Sequence, residues 1–294
     1  MPKKVDNMIA SEHTTAQPSD VLGHGLAPVQ LPSNIGLALS GGGFRATVYH
    51  LGVLTRLAQS TLLERVSFLS TVSGGSLAIG LILDGEKPQW PTSDAFLVST
   101  LPRARKLLTG PSLQWALLRE QLRRFWTILG PRADLLSGLI RSLWNVSAKV
   151  GALPERPLWY INATCVETAK NWRFERRRMG DYQFSYSADT DKVDLSDALA
   201  ASAAYPGLIG RLKFPTQKYS WQAPRAPQPG EAADDPRQFI HKGVNLWDGG
   251  AYDNLGWRRC TSLAANGDRA SILPLSATPP GAHRPNGIAS ISLR

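Results

Sequence analysis

Ser73 lies where a reactive hydroxyl would be expected, between an apolar run and a helix-like segment. The predicted strand Val66 to Val72 precedes it, and Gly74 and Gly75 follow it. Two glycines allow a turn so sharp that the hydroxyl projects from the strand's carboxyl end, as in a nucleophile elbow. The usual motif has a glycine where this chain has Thr71. Ser73 is therefore a candidate nucleophile, although Ser-Gly-Gly is also an ordinary turn.

A run of three glycines could supply the second component of acyl-transfer chemistry. Backbone N–H groups at a helix start can bind the charge that develops on a carbonyl oxygen, and Gly41, Gly42 and Gly43 leave theirs unobstructed. With Ala46, the run also fits the dinucleotide-binding pattern G-x-G-x-x-A. That pattern needs an acidic residue after the second strand, where this chain has Ser73. The sequence therefore favours an oxyanion hole.

Asp248 is the third candidate group. It follows the apolar run Val244 to Trp247 and precedes Gly249 and Gly250. An Asp-Gly pair is most often a simple turn, so the local sequence alone leaves its role open. No histidine lies in a recognisable triad motif, and His50, after the glycine run, is predicted to be a packed or capping side chain.

The segments around these groups predict alternating strands and helices. The apolar run at 35–39 and the strand-like segment at 66–72 each lead through a glycine turn into a segment with helical character. This order predicts an α/β fold with a central, mostly parallel sheet flanked by helices and a site at the strands' carboxyl ends. We further predict strands at 158–166, 172–176 and 244–247, a helix at 195–204 and a surface loop at 215–243.

Composition limits the class of protein. Apolar residues make up 43% of 294 residues, enough for a sizeable core, and the net charge of +10 favours an anionic partner. No recognisable nucleic-acid motif accompanies that charge, so no nucleic acid is expected. Cys165 and Cys260 are interpreted as buried thiols. The sequence has no visible signal peptide and no apolar run long enough to span a bilayer.

Residues 101–150 are basic and rich in Leu and Trp. One interpretation is a pair of helices that pack on the sheet and expose their arginines. The other is a surface within 111–149 that binds anionic membranes by charge attraction and apolar insertion.

Four blocks of the sequence together resemble the patatin-like phospholipases, with kinship to the cytosolic phospholipase A branch. In the family's order, they are Gly41 to Arg45, Val72 to Ser76, Ala200 to Gly207, and Asp248 to Gly250 with Asp253 to Gly256.

The resemblance implies a three-layer α/β sandwich in which Asp248 activates Ser73 as a Ser-Asp dyad without histidine. It implies a serine esterase that cleaves phospholipids or other lipid esters, with no metal and no cofactor. Arg45 would bind substrate phosphate or support the glycine loop. The expected location is cytoplasmic and peripheral to the membrane. The alternative is a lipid-binding or interaction protein of the same fold that has lost turnover.

The expected domain organisation has three parts. Residues 1–33 lack apolar periodicity and are predicted to be a flexible arm, and 34–256 form the acyl hydrolase domain. Residues 257–294 are atypical for the family, with little periodicity beyond 271–273, and are interpreted as a truncated or disordered tail.

Overall fold

The computed structural model describes residues 33–110, 132–206, 209–222, 243–256 and 271–275. Nearly all of the predicted arm, most of the predicted tail and residues 111–131 of the basic segment lie outside these ranges. In the described part of the chain, no helix has the length and apolar character to cross a bilayer.

The described residues contribute nine strands to one mixed sheet. The main path has the order β6-β5-β4-β3-β2-β1-β9, and β8 joins it by pairing with β3 and β7. The strands are β1 (Ile35–Leu39), β2 (Val66–Val72), β3 (Leu158–Cys165), β4 (Lys170–Glu175), β5 (Arg178–Asp181), β6 (Ser185–Ser187), β7 (Leu212–Phe214), β8 (Val244–Asp248) and β9 (Ser271–Leu275).

The centre of the sheet is parallel, and the predicted α/β class is confirmed. Strands β9, β1, β2 and β3 run in the same direction, and helices connect β1 to β2 and β2 to β3. β1 and β2 have the predicted bounds. Every residue of β1 is buried, which explains why the strand is a continuous apolar run without alternation.

Antiparallel strands extend the sheet beyond β3. The predicted hairpin of β3 with β4 is confirmed, whereas β5 and β6 are additional strands that follow it. β8 pairs antiparallel with β3 and β7. β9, whose residues fall within the range interpreted as a tail, pairs with β1 along its whole length.

Seven α-helices lie within the described ranges. They are α1 (Gly43–Gln59), α2 (Gly74–Ile82), α3 (Ser93–Ala95), α4 (Leu101–Thr109), α5 (Arg132–Trp144), α6 (Leu195–Ser202) and α7 (Gly250–Asp253), with a π-helical turn at Phe96–Thr100 between α3 and α4. Buried side chains from α1, α2, α4, α5 and α6 form the main hydrophobic core with the sheet.

Two helices that flank the site, α2 and α6, pack closely where the Leu199 side chain of α6 lies against Gly80 of α2. A Cβ at Gly80 would lie 2.3 Å from that side chain, so a larger residue there would require Leu199 to move. On α5, Leu136, Ile140 and Trp144 are buried, which supports the interpretation of this part of the basic segment as a packed helix.

Candidate active site

The pairing register of the sheet brings the ends of two strands together. Val72, the last residue of β2, pairs with Asn162 of β3, and Asp248, the last residue of β8, pairs with the next residue, Ala163. Because β4 occupies the other edge of β3 at Ala163, β2 and β8 share one edge. β2 is parallel to β3 and β8 is antiparallel to it, so their carboxyl ends meet head to head. Ser73 and Asp248 are therefore neighbours.

Ser73 has the backbone conformation of a sharp elbow. Its φ is 50° and its ψ is −116°, a backbone conformation that residues other than glycine rarely adopt. The elbow is pressed against neighbouring backbone. A Cβ at Gly74 would lie 2.1 Å from the Gly43 carbonyl oxygen, and one at Gly75 would lie 2.5 Å from the Leu39 carbonyl oxygen. Both glycines are therefore required by contact, because any side chain would push the elbow away from the glycine loop and β1.

Asp248 is buried and held from several sides. Its Oδ1 accepts a hydrogen bond from the Gly250 N–H at 2.7 Å, its own N–H donates to the Ala204 carbonyl at 3.0 Å, and its carbonyl accepts from Thr164 Oγ1 at 2.9 Å. The Ser73 side chain lies close enough to this carboxylate to lower its pKa. The structure thus joins the two residues that the sequence singled out.

Burial raises the pKa of Asp248 above its ordinary value. The Ser73 side chain and the hydrogen bond from the Gly250 N–H oppose this rise, because they stabilise the charged carboxylate, but loss of water contacts is the larger effect. A carboxylate of raised pKa is a stronger proton acceptor than an exposed one. The neighbouring Ser73 side chain carries the hydroxyl that acyl transfer would need to deprotonate.

The glycine loop lies beside this pair. A Cβ on Gly41 would be 3.4 Å from the Ser73 Cβ and 2.4 Å from Asn254 Oδ1. The Gly41 N–H donates to the Asn254 carbonyl at 2.9 Å, so this amide shapes the loop and is already used. Gly42 and Gly43 have φ values of 136° and 61° and stand at the start of α1, where N–H groups have no preceding helical carbonyl.

His50 binds the backbone just before the glycine loop. Its Nε2 is 2.9 Å from the Ser40 carbonyl oxygen, so Nε2 carries the proton and donates it. The expected packed role of this side chain is confirmed, since it is fully buried. Burial is the main cause of its lowered pKa, and the bond to Ser40 acts in the opposite direction. His50 is therefore a neutral structural link between β1 and α1.

Arg45 is exposed in the first turn of α1. Within the described ranges, its guanidinium has no ion pair or hydrogen bond.

Two residues inside the resembling blocks have roles that the sequence did not indicate. Asn254 fastens the glycine loop through its carbonyl, and Ser202 accepts a hydrogen bond from the Ser73 N–H at 3.0 Å. Only their positions in those blocks could have drawn attention to them.

As for metals, the described residues contain no group of three or more His, Cys, Asp or Glu side chains placed to bind an ion.

Comparison with known proteins defines the class. The family model of patatin-like phospholipases matches residues 37–260, which is more than half of the chain. The chain therefore belongs to the patatin-like phospholipase family. None of the curated proteins compared with the chain matches it significantly.

Three solved structures are similar to this chain, and the first of them supports the fold. Human GIVD cytosolic phospholipase A2 is similar with a TM-score of 0.51 and 17% identity, over 82% of this chain and 45% of that one. The same human enzyme in complex with methyl gamma-linolenyl fluorophosphonate gives 0.41 and 17%, over 60% and 30%. VipD from Legionella pneumophila gives 0.36 and 17%, over 76% and 47%. This chain thus spans less than half the length of each of these proteins.

Proposed function

We propose that the protein is a serine lipid acyl hydrolase in which Ser73 is the nucleophile and Asp248 the general base. One observation carries the proposal: a serine in a strained elbow lies where the carboxyl ends of β2 and β8 meet, beside a buried carboxylate of raised pKa. Strained backbone of this kind costs about 1–3 kcal/mol and tends to be retained where function needs it. Family membership supports a lipid ester as the substrate.

The proposed reaction has two halves. The Ser73 oxygen attacks the ester carbonyl while Asp248 takes the proton of the Ser73 hydroxyl. The N–H groups of Gly42 and Gly43 stabilise the oxyanion that forms. Asp248 then returns the proton to the departing alcohol, which leaves an acyl group on Ser73. In the second half, Asp248 takes a proton from water, the hydroxide releases the fatty acid, and Ser73 regains its proton.

The proposal also assigns a role to Arg45. Its guanidinium is exposed one turn from the glycine loop and makes no bond to that loop, which favours substrate phosphate over loop support as its role. A cation at a helix N-terminus is unfavourable without an anion nearby, and a phospholipid would bring one.

An anionic membrane surface is the proposed setting for the reaction. The solvent face of α1 combines two arginines with two exposed apolar side chains, and this helix begins at the glycine loop. The residues are Arg45, Val48, Tyr49 and Arg56. Cations and apolar groups on one helix face are typical of helices that lie at a lipid interface. Together with the net charge of +10, this face favours anionic over neutral lipid.

Hydrolysis measured on three forms of substrate tests the proposal. We expect turnover of a short-chain soluble ester and of phospholipid vesicles, with faster hydrolysis in vesicles containing phosphatidylserine than in pure phosphatidylcholine at low salt. High salt should remove that difference because it screens surface charge. Chelation with EDTA should change nothing, because no step requires a metal. Vesicle binding without hydrolysis of any ester would favour the alternative, a lipid-binding protein that has lost turnover.

Activity should fall on acidification at a higher pH than for an exposed aspartate. Asp248 must be ionised to accept a proton, and a carboxyl group ionises above its pKa. Since that pKa is raised above the ordinary value of 3.8, the acid limb of kcat/KM for the soluble ester should lie above this value. Rates that stay constant down to pH 3.8 would contradict the assignment of Asp248 as the base.

A further inference from the structure

A chain of buried side-chain hydrogen bonds runs beneath the nucleophile. The indole Nε1–H of Trp159 donates to Thr71 Oγ1 at 2.8 Å, and Thr71 Oγ1 is 2.8 Å from Ser76 Oγ. Ser76 Oγ is 2.8 Å from Ser202 Oγ, which donates to the Asn162 carbonyl at 2.7 Å. All five residues are at most 4% exposed, so water does not compete for these bonds.

The two ends of this chain fix the direction of every bond in it. An indole N–H can only donate and a carbonyl can only accept. Ser202 therefore spends its single proton on Asn162, so Ser76 must donate to Ser202, and Thr71 must in turn donate to Ser76. Thr71 has one other acceptor, the Tyr160 carbonyl, but at 3.4 Å this is the weaker contact. Hydrogen bonds aligned in one direction polarise and strengthen one another.

Ser202 is the point at which this chain meets the nucleophile. Its oxygen also accepts the Ser73 N–H at 3.0 Å, so it accepts two hydrogen bonds and donates one. The Ser73 amide consequently points into the protein interior and is not a donor to the substrate. This hydrogen bond joins the backbone of the elbow, where the φ of Ser73 is 50°, to the side chain of Ser202.

We propose that Ser202 is a positioning residue that holds Ser73 in its strained conformation, and that the chain from Trp159 fixes the orientation of the Ser202 hydroxyl. The proposal rests on the function proposed above for Ser73. A strained conformation persists only where its surroundings over-determine it, and here the fixed element is α6, which is held against α2 by the contact of Leu199 with Gly80. A small error in the direction of a nucleophile affects the chemical step more than it affects binding.

Ser202→Ala tests this role directly. The variant removes the acceptor of the Ser73 N–H, so kcat for a soluble ester should fall by about tenfold or more, which equals about 1.4 kcal/mol in the barrier. KM should stay within about twofold because no substrate contact is lost. The Ser73 amide should also exchange with solvent at least about tenfold faster in native-state hydrogen exchange. That readout does not depend on turnover.

Ser196→Ala is the matched control. Ser196 lies on the same helix and is equally buried, but its hydroxyl accepts a hydrogen bond from Ser137 at 3.1 Å, away from Ser73. Both variants should lower the thermal midpoint of unfolding, whereas only Ser202→Ala should change kcat and Ser73 exchange. If both variants lower kcat in proportion to stability, or if Ser202→Ala keeps more than half of the wild-type kcat, Ser202 has no positioning role.

Ser76→Ala provides a second test should Ser202→Ala fail to fold. It breaks the chain one step earlier and leaves the bond of Ser202 to Ser73 in place, so kcat should fall by about threefold at constant KM. An unchanged kcat would overturn the role of the chain. Wild-type protein that neither hydrolyses an ester nor reacts with a fluorophosphonate contradicts the proposed function as well. An active wild type with an unaffected Ser202→Ala contradicts the positioning role alone.

Discussion

Ser73→Ala is expected to lower hydrolysis of a soluble ester by about 10⁴-fold or more, because the attacking oxygen is removed and no other group can form the acyl intermediate. The fold should survive, since the Ser73 N–H belongs to the backbone and still donates to the Ser202 hydroxyl in the variant. Initial rates and the thermal midpoint of unfolding, measured on the same preparation, check both parts.

Ser67→Ala is the matched control for this variant. Ser67 lies on β2, the strand that leads to Ser73, and its hydroxyl donates to the Ile35 carbonyl at 3.5 Å, at the other end of β2 from the elbow. It should retain the wild-type rate. If Ser73→Ala keeps more than about a hundredth of that rate, a different group must be the nucleophile.

Asp248→Asn should lower turnover by about 10²- to 10⁴-fold, because an amide of the same shape cannot accept the proton of Ser73. Asp253→Asn, which removes a carboxylate from the same segment, should leave the rate within about threefold of wild type. Because Ser73 and Asp248 act as one unit, the double variant with Ser73→Ala should be hardly slower than Ser73→Ala alone. Losses that multiply would show that the two residues act independently.

The same Asp248→Asn variant should be more stable than wild type at neutral pH. The folded protein raises the pKa of Asp248, so the group favours the fold at low pH and this contribution is lost as the pH rises through the folded pKa. Asparagine carries no charge to bury and avoids that loss. A thermal midpoint at pH 7 that is lower than that of the wild type would contradict burial as the main cause of the raised pKa.

The sequence was sufficient to predict the two strands that lead into the glycine loop and into the nucleophile. β1 is a continuous apolar run and β2 mixes apolar residues with Ser67, Ser70 and Thr71; both end at glycine turns, and both are found with the predicted bounds. A run such as β1 is recognisable because a strand buried on both faces needs no polar position. The predicted helix at 195–204 is also present as α6.

Register and long-range contacts could not be predicted. The meeting of Ser73 with Asp248 depends on β8 pairing antiparallel at Ala163, immediately beyond the last partner of β2. Nothing in either local sequence specifies that neighbour. β5 and β6 contain Arg178, Asp181 and several serines, so they lack the apolar pattern of a strand and were missed.

The role of Ser202 illustrates the same limit for side chains. A small-residue helix indicates close packing, but it does not indicate which hydroxyl faces a backbone amide. The bond from the Ser73 N–H to Ser202 joins residues 129 positions apart. Likewise, three adjacent glycines look equivalent in the sequence, whereas the Gly41 amide is already used by Asn254 and those of Gly42 and Gly43 are not part of that contact.

Covalent labelling followed by peptide mass spectrometry tests the central claim most directly. A fluorophosphonate reacts fastest with a serine that an adjacent base has activated, so wild-type protein should gain one adduct, on the peptide that contains Ser73. Asp248→Asn should gain the same adduct far more slowly, and Ser73→Ala should gain none. An adduct on another residue, or an unlabelled but folded wild-type protein, would contradict the assignment of Ser73 and Asp248 as a working dyad.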